Sequence, residues 1–373
     1  MTTRRGVLGV MGFAALTGLT GACSPGTRQN QKPSDTLLIA HAEGLGVFDT
    51  GKRDWLVAPR PGAVTDHELA TLDGQQLVLR HRKTLEVRSQ AQLKGDWTIS
   101  AVGGGQIALI AGRHPANPRE TTTIVVMRGG TERYRYNLRG TIEPEAFSTD
   151  GGRLFVLDHR GDNYRVRALE LATGELVSLY TREKRAVPEF AEEIMRGHGH
   201  HSVHDSTRGI LFTLFTHGGD HHHTGQLLGV RPDAPDIHAF IHALSLREGW
   251  AVCIDLPAPF GLGPAASHTI TGSSDRIFAI AGEGGVIAEI DPLALAISHT
   301  STIPATPGDA YAIYTDRLIL ATGSRLAGRD VGFAVRGLAN GDRLWAGREN
   351  ALVAIEDGQV TDEIQVPGLV CLR

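Results

Sequence analysis

Cysteine, aromatic residues and long apolar runs are all scarce in this chain, and each shortage removes a class of protein. The 373 residues hold 3 cysteines, Cys23, Cys253 and Cys371. That excludes a disulfide scaffold, and a domain of this size buries enough apolar surface to stand without one. Cys253 and Cys371 fall in distant repeats of the pattern described below and are expected to be two buried thiols. Aromatics make up 6% of the residues, with 4 Trp, which gives no stacking platform for carbohydrate. The formal net charge is -4, with no long basic run, and this argues against nucleic acid as a partner. The uncharged stretch from Val7 to Ala22 falls short of the roughly 20 apolar residues of a transmembrane helix. G-x-S-x-G, H-E-x-x-H, a phosphate loop and a G-x-G-x-x-G between strand and helix are all missing. Gly103-Gly104-Gly105 and Gly282-Glu283-Gly284-Gly285 read as hairpin turns that need positive φ.

What is present begins with an address. Thr3-Arg4-Arg5-Gly6-Val7-Leu8, followed by the apolar stretch, resembles a twin-arginine export signal, and Leu19-Thr20-Gly21-Ala22-Cys23 resembles the lipobox of bacterial lipoproteins. Thr20 departs from the larger aliphatic residue usual there, which leaves cleavage without acylation as an alternative. The resemblance implies a signal peptide over residues 1–22, lipidation of Cys23, and a mature protein outside the cytoplasmic membrane, anchored through its N-terminal lipid. Residues 23–35 have the polar, Pro-containing composition of a tether.

From residue 36 to 373 short apolar strands alternate with Gly/Asp/Asn turns, and helical periodicity is almost absent. Examples are L-L-I-A-H-A-E-G-L-G-V-F-D, Q-L-V-L-R-H-R-K-T-L-E-V-R and R-I-F-A-I-A-G-E-G-G-V-I-A-E-I-D. Units recurring every 30–50 residues or so, each with about four strands, predict an all-β fold, a single β-propeller. Ser148-Thr149-Asp150-Gly151 and Ala339-Asn340-Gly341-Asp342 fall where the turn between a blade's first and second strands belongs. In these features the chain resembles the YVTN and WD40-like propellers of secreted bacterial proteins. That resemblance implies a fold only. Residues 309–330 leave little room for four strands, so the pattern predicts seven blades, with eight as the alternative. Gly368–Leu372 is expected to complete the first blade and close the ring.

The densest chemical signal is histidine. Of 17 histidines, 10 lie in residues 198–242, read as a His-rich insertion in the propeller. Imidazoles among carboxylates bind transition metals or titrate near neutral pH. Aligning the units on their second strands places His41, His81, His114, His159 and His217 at strand ends. It also places His67, Glu145, Ser202, His268 and Asp309 at one register near the start of the inner strand, with His200, His201 and His204 beside Ser202. Meeting at the channel mouth, His67, Glu145, His201 and His268 would form a rigid, tighter site for zinc or another divalent transition metal. His217, Asp220, His221, His222 and His223 would form a weaker site in a flexible loop. Solvated turn histidines, carboxylates that accept backbone donors and a weak metal-scavenging tail are the plain alternatives.

Two function classes follow. One is an envelope metal-binding lipoprotein, a zinc or copper chaperone, buffer or sensor, whose partners are the membrane and an envelope protein such as a metal transporter component. The other is an interaction or ligand-binding propeller without metal. A metal-dependent propeller hydrolase or lactonase is a third and weaker reading, since nothing in the sequence names a substrate.

Overall fold

The structure, a computed structural model, describes residues 34–372 apart from 113–118, 162, 197, 217–221 and 230–236; the side chains of residues 198–200 also lie outside the description. The stretch expected to be a signal peptide and most of the expected tether lie outside it as well. Among the described residues no helix is long and apolar enough to cross a membrane.

The strands form eight antiparallel four-stranded sheets, each the blade of a propeller. The expectation of seven blades is thereby corrected. Residues 310–330 do hold a complete blade, blade 7: Ala310–Tyr314, Leu318–Thr322, Arg325–Leu326 and Arg329–Asp330. Its outer two strands shrink to two residues each, too short for a period-two pattern to reveal.

Strands buried between neighbouring blades are apolar on both faces. In blade 5 the second strand, Ile210–Thr216, turns Phe212 and Leu214 toward Ile277 and Ala279 of blade 6, while Phe215 packs with Tyr164 and Met195 toward blade 4. The core is thus a series of layers between successive blades. Where blades 6 and 7 meet the layer is thin, because a Cβ on Gly282 would lie 2.1 Å from Thr322 Cγ2 and only glycine allows that approach.

Ring closure follows the expectation. Leu369–Leu372 pairs with Thr36–His41 and becomes the innermost strand of blade 1, with Ile39 opposite Leu372 and Ala40 opposite Cys371. Asp35 ties the start of the ring to its end: its carboxylate accepts from Trp345 Nε1 at 2.8 Å and from Asp342 N at 2.6 Å. Cys371, in blade 1, and Cys253, in blade 5, are thiols in separate blades and are half-buried, where full burial was expected.

The inner strands begin on one face of the ring, the front, and end on the other, the back. The common register proposed for the inner-strand residues does not hold. In blade 2 the inner strand is only Gly62–Val64, so His67 lies in the turn after it, on the back face. Gln76–His81 is that blade's third strand, not its second, which puts His81 on the back face too. His268 instead opens the inner strand of blade 6, His268–Gly272, on the front. Asp309 is exposed just before the inner strand of blade 7, and Glu145 and Ser202 lie inside the inner strands of blades 4 and 5, Thr141–Phe147 and His198–Asp205.

Candidate metal centre

Two insertions meet over the junction of blades 4 and 5. Residues 179–196 follow the outer strand of blade 4, Glu175–Ser178, and residues 222–229 belong to the long connection between Ile210–Thr216 and Ala239–Ser245 of blade 5. The first insertion is fixed by Glu192, which is buried against blade 4. Its carboxylate takes a forked pair of bonds from Arg167, Nε at 3.0 Å and Nη2 at 2.9 Å, plus bonds from Arg165 and Ser178. Charge-assisted forked bonds of this kind are strong and directional. They aim the next residue, Glu193, across the gap toward blade 5.

Glu193 meets three groups there. Its Oε1 accepts the Thr224 backbone N–H at 2.9 Å and lies 3.6 Å from His223 Nδ1, and its Oε2 accepts from Cys253 Sγ at 3.0 Å. His223 is 3% exposed and directly precedes the helical turn Thr224–Leu227, where Gln226 Oε1 accepts its backbone N–H at 2.7 Å. Its other ring nitrogen, Nε2, is 2.6 Å from Asp255 Oδ1. Cys253 and Asp255 stand two apart on the outer strand Ala251–Asp255 and so share a face. Glu193, His223 and Cys253 each offer one donor atom, and the three lie within 4.8 Å of one another.

The donor set fits zinc. Oxygen, nitrogen and sulfur are its ordinary ligands, and tetrahedral bonds of about 2.0–2.3 Å need only a small contraction of these separations. Three protein donors leave the fourth position to another group. The Asp255 carboxylate on Nε2 fixes the tautomer that presents Nδ1, the outer support usual for a metal-bound histidine.

Without metal the same cluster holds a proton. Burial opposes charge on His223, but Asp255 and Glu193 outweigh it and raise the pKa to about 9. An unfolded histidine titrates near 6.5, so the stabilisation is complete below about pH 6.5 and is lost as pH rises through about 9. The gap corresponds to on the order of 3 kcal/mol. The urea midpoint of the metal-free protein should therefore fall between pH 6.5 and 9, and His223→Gln should flatten that fall. A wild-type midpoint constant across this window would contradict the buried imidazolium.

The residues singled out in the sequence are dispersed. His223 joins the centre, which moves it from the weaker loop set to the best-held position, because two carboxylates and a helix start fix it. His222 is exposed beside it, and His217, Asp220 and His221 lie outside the described residues, as does His114. The side chain of His200 is likewise outside them, and His201 stands mid-strand in blade 5, opposite Leu214. His268 is 1% exposed and engages a neighbouring loop with both ring nitrogens: Nε2 accepts from Gly261 N at 3.0 Å, and Nδ1 is 3.1 Å from Pro264 O. His67 is next to Asp66, whose Oδ2 lies 3.6 Å from His204 Nδ1 at the back mouth of the channel. His204 holds the Asp66 carboxyl below the usual range, with Arg82 assisting. Glu145 Oε2 is shut from solvent and has no hydrogen-bond partner among the described residues; burial and the nearby Glu143 push this carboxyl up to about 7. His67, Glu145, His201 and His268 thus stand at different depths along the channel. Among the described residues, Glu193, His223 and Cys253 are the group that could hold an ion.

Sequence reasoning missed Glu193, Cys253 and Asp255. The alternation of Cys253 and Asp255 on one strand was a readable signal. Glu193 carried none, since its position depends on the Glu192 clamp.

No protein-family model matches the chain, and a comparison with curated proteins returns no match. Solved structures of similar architecture include the computationally designed Ika8 protein, at 10% identity over 90% of this chain and 94% of that one, with a TM-score of 0.45. Hsv2 of Kluyvelomyces marxianus is 9% identical over 80% and 95%, with a TM-score of 0.42. Apo AztD from Citrobacter koseri is 11% identical over 91% and 97%, with a TM-score of 0.40. At this level none of these likenesses bears on function, and the chain is a β-propeller by its own eight sheets.

Proposed function

We propose that this propeller is a cell-envelope protein that carries a divalent transition metal, zinc by its donor set, at Glu193, His223 and Cys253. The observation that supports this reading most is the arrangement of His223, with Nε2 on Asp255 and Nδ1 facing a carboxylate and a thiol. Three donors at the rim of the ring, with a fourth position left over, suit an ion that is exchanged, whereas purely structural zinc sites are closed by four protein ligands. Transfer or buffering follows from that difference. His217, Asp220, His221 and His222, on the same connection as His223, would be the donors that first meet the ion. Lipidation at Cys23 would keep the site near the membrane and near an envelope partner that supplies or receives the metal.

Cobalt is the direct probe, because its bond to a thiolate gives a charge-transfer band that carboxylate and imidazole do not. Cobalt added to the tagless, metal-free protein should produce that band, and Cys253→Ser should remove it. Cobalt bound without the band would exclude Cys253 as a ligand and with it this centre. Export and anchoring are tested separately, by detergent-phase partitioning that Cys23→Ala should abolish.

A further inference from the structure

The metal donors form one end of a larger space. Glu193, His223 and Cys253 line a cavity of about 340 Å³ at the blade 4–blade 5 junction, together with Val166, Leu179, Val187, Met195, Leu228 and Ala251. A bare ion needs no chamber of this size, which lies at the lower end of the roughly 300–1,000 Å³ of small-molecule sites. Its apolar walls suit a hydrocarbon body, whose removal from water would drive binding.

The rim adds a net positive charge. Arg182 and Arg185 both line the cavity. Among the described residues Arg182 bonds to the carbonyl oxygens of Leu293 and Ala294, at 3.3 and 3.4 Å, and neither it nor the exposed Arg185 has a carboxylate partner there. Of the acids on the same insertion, Glu192 is held by Arg165 and Arg167, and Glu193 belongs to the metal centre. Glu183 is the remaining acid at the rim, so two arginines face one glutamate.

We infer that the cavity binds a small apolar carboxylate, its chain against the apolar walls and its head group shared between Arg185 and the metal's fourth position. The inference rests on the metal reading above and deepens it: the ion would be held as a ternary complex with an organic acid. A carboxylate answers both features at once, since it is an ordinary oxygen donor to zinc and the natural partner of a guanidinium. A neutral alcohol with the same chain lacks the negative charge that strengthens both contacts.

Octanoate is the probe, octanol its control, and the intact protein is titrated calorimetrically with zinc first and with the probe second. Octanoate should bind the zinc-loaded protein at least about tenfold more tightly than the chelator-stripped protein, and Arg185→Gln should weaken it about tenfold, the scale of one charge-assisted contact. Zinc affinity should be unchanged in Arg185→Gln, which also shows that the variant is folded. Zinc binding with no response to octanoate would overturn the inference alone. So would octanoate binding indifferent to zinc, or octanol binding as tightly. Failure to bind zinc would overturn the metal reading, and this inference with it.

Discussion

Replacing His223 with Ala should lower zinc affinity by more than about 100-fold, because the loss of a ligand exceeds the 10–100-fold typical of losing its outer partner. His223 is buried, and its ring is held from both sides, by Asp255 at 2.6 Å and Glu193 at 3.6 Å, so its donor atom is placed before the ion arrives. Preorganised ligands lose less entropy on coordination. Asp255→Asn keeps the shape but gives up the carboxylate that sets the tautomer, and the expected loss is about 10–100-fold. Titration of the tagless protein should show the wild type binding zinc more tightly than about 10 μM, the level of ordinary surface histidines by estimate. His67→Ala and His268→Ala should leave this step unchanged, since neither residue belongs to the cluster. If they abolish it while His223→Ala does not, the site is in the channel and the rim centre is wrong. If wild type binds no tighter than surface histidines, an interaction propeller without metal takes its place.

Deleting Gly368–Arg373 should cost several kcal/mol and yield a protein prone to self-association. The segment buries Leu369 and Leu372, 3% and 2% exposed, in the layer shared by blades 8 and 1, beside Leu37, Ile39 and Trp345. Burial of each leucine is worth about 1.5–3 kcal/mol before the backbone bonds are counted. Those bonds include Leu372 N to Arg336 O at 2.8 Å and Ala42 N to Gly368 O at 2.9 Å. Their loss would turn Thr36–His41 into an open edge, ready to pair with another chain. Leu372→Ala isolates the packing contribution, with an expected loss of about 2–5 kcal/mol. Urea unfolding with light scattering reads both effects. A truncated protein that unfolds at the wild-type midpoint and stays monomeric would show that the ring closes without this strand.

The blades were legible in the sequence because strands sandwiched between neighbours, such as Ile210–Thr216, carry apolar residues on both faces and are bounded by turn residues. Gly104 and Gly105, at φ 60° and 75°, occupy the positive-φ turn that their run announces. Blade 7 was obscured because a two-residue strand has no period. The register of the histidines failed for a related reason: in blade 2 the third strand, Gln76–His81, has the apolar pattern of a second strand, while the true inner strand has three residues. Aligning on it carried His67 and His81 to the wrong face.

By itself, then, the chain determined an all-β ring closed by its own C-terminal strand, since short apolar runs and turn chemistry are local properties that short windows of sequence express. It also pointed to residues 198–242, of which His223 joins the cluster while Glu193 and Cys253 lie outside that stretch. Which residues meet was decided only in three dimensions. Glu193 comes from an insertion after blade 4, His223 from a connection within blade 5, and Cys253 and Asp255 from that blade's outer strand. They converge because Glu192 clamps one insertion onto blade 4, and because two carboxylates hold a buried imidazole against the other. Those contacts span up to 60 residues of chain, from Glu193 to Cys253, and no local pattern encodes them.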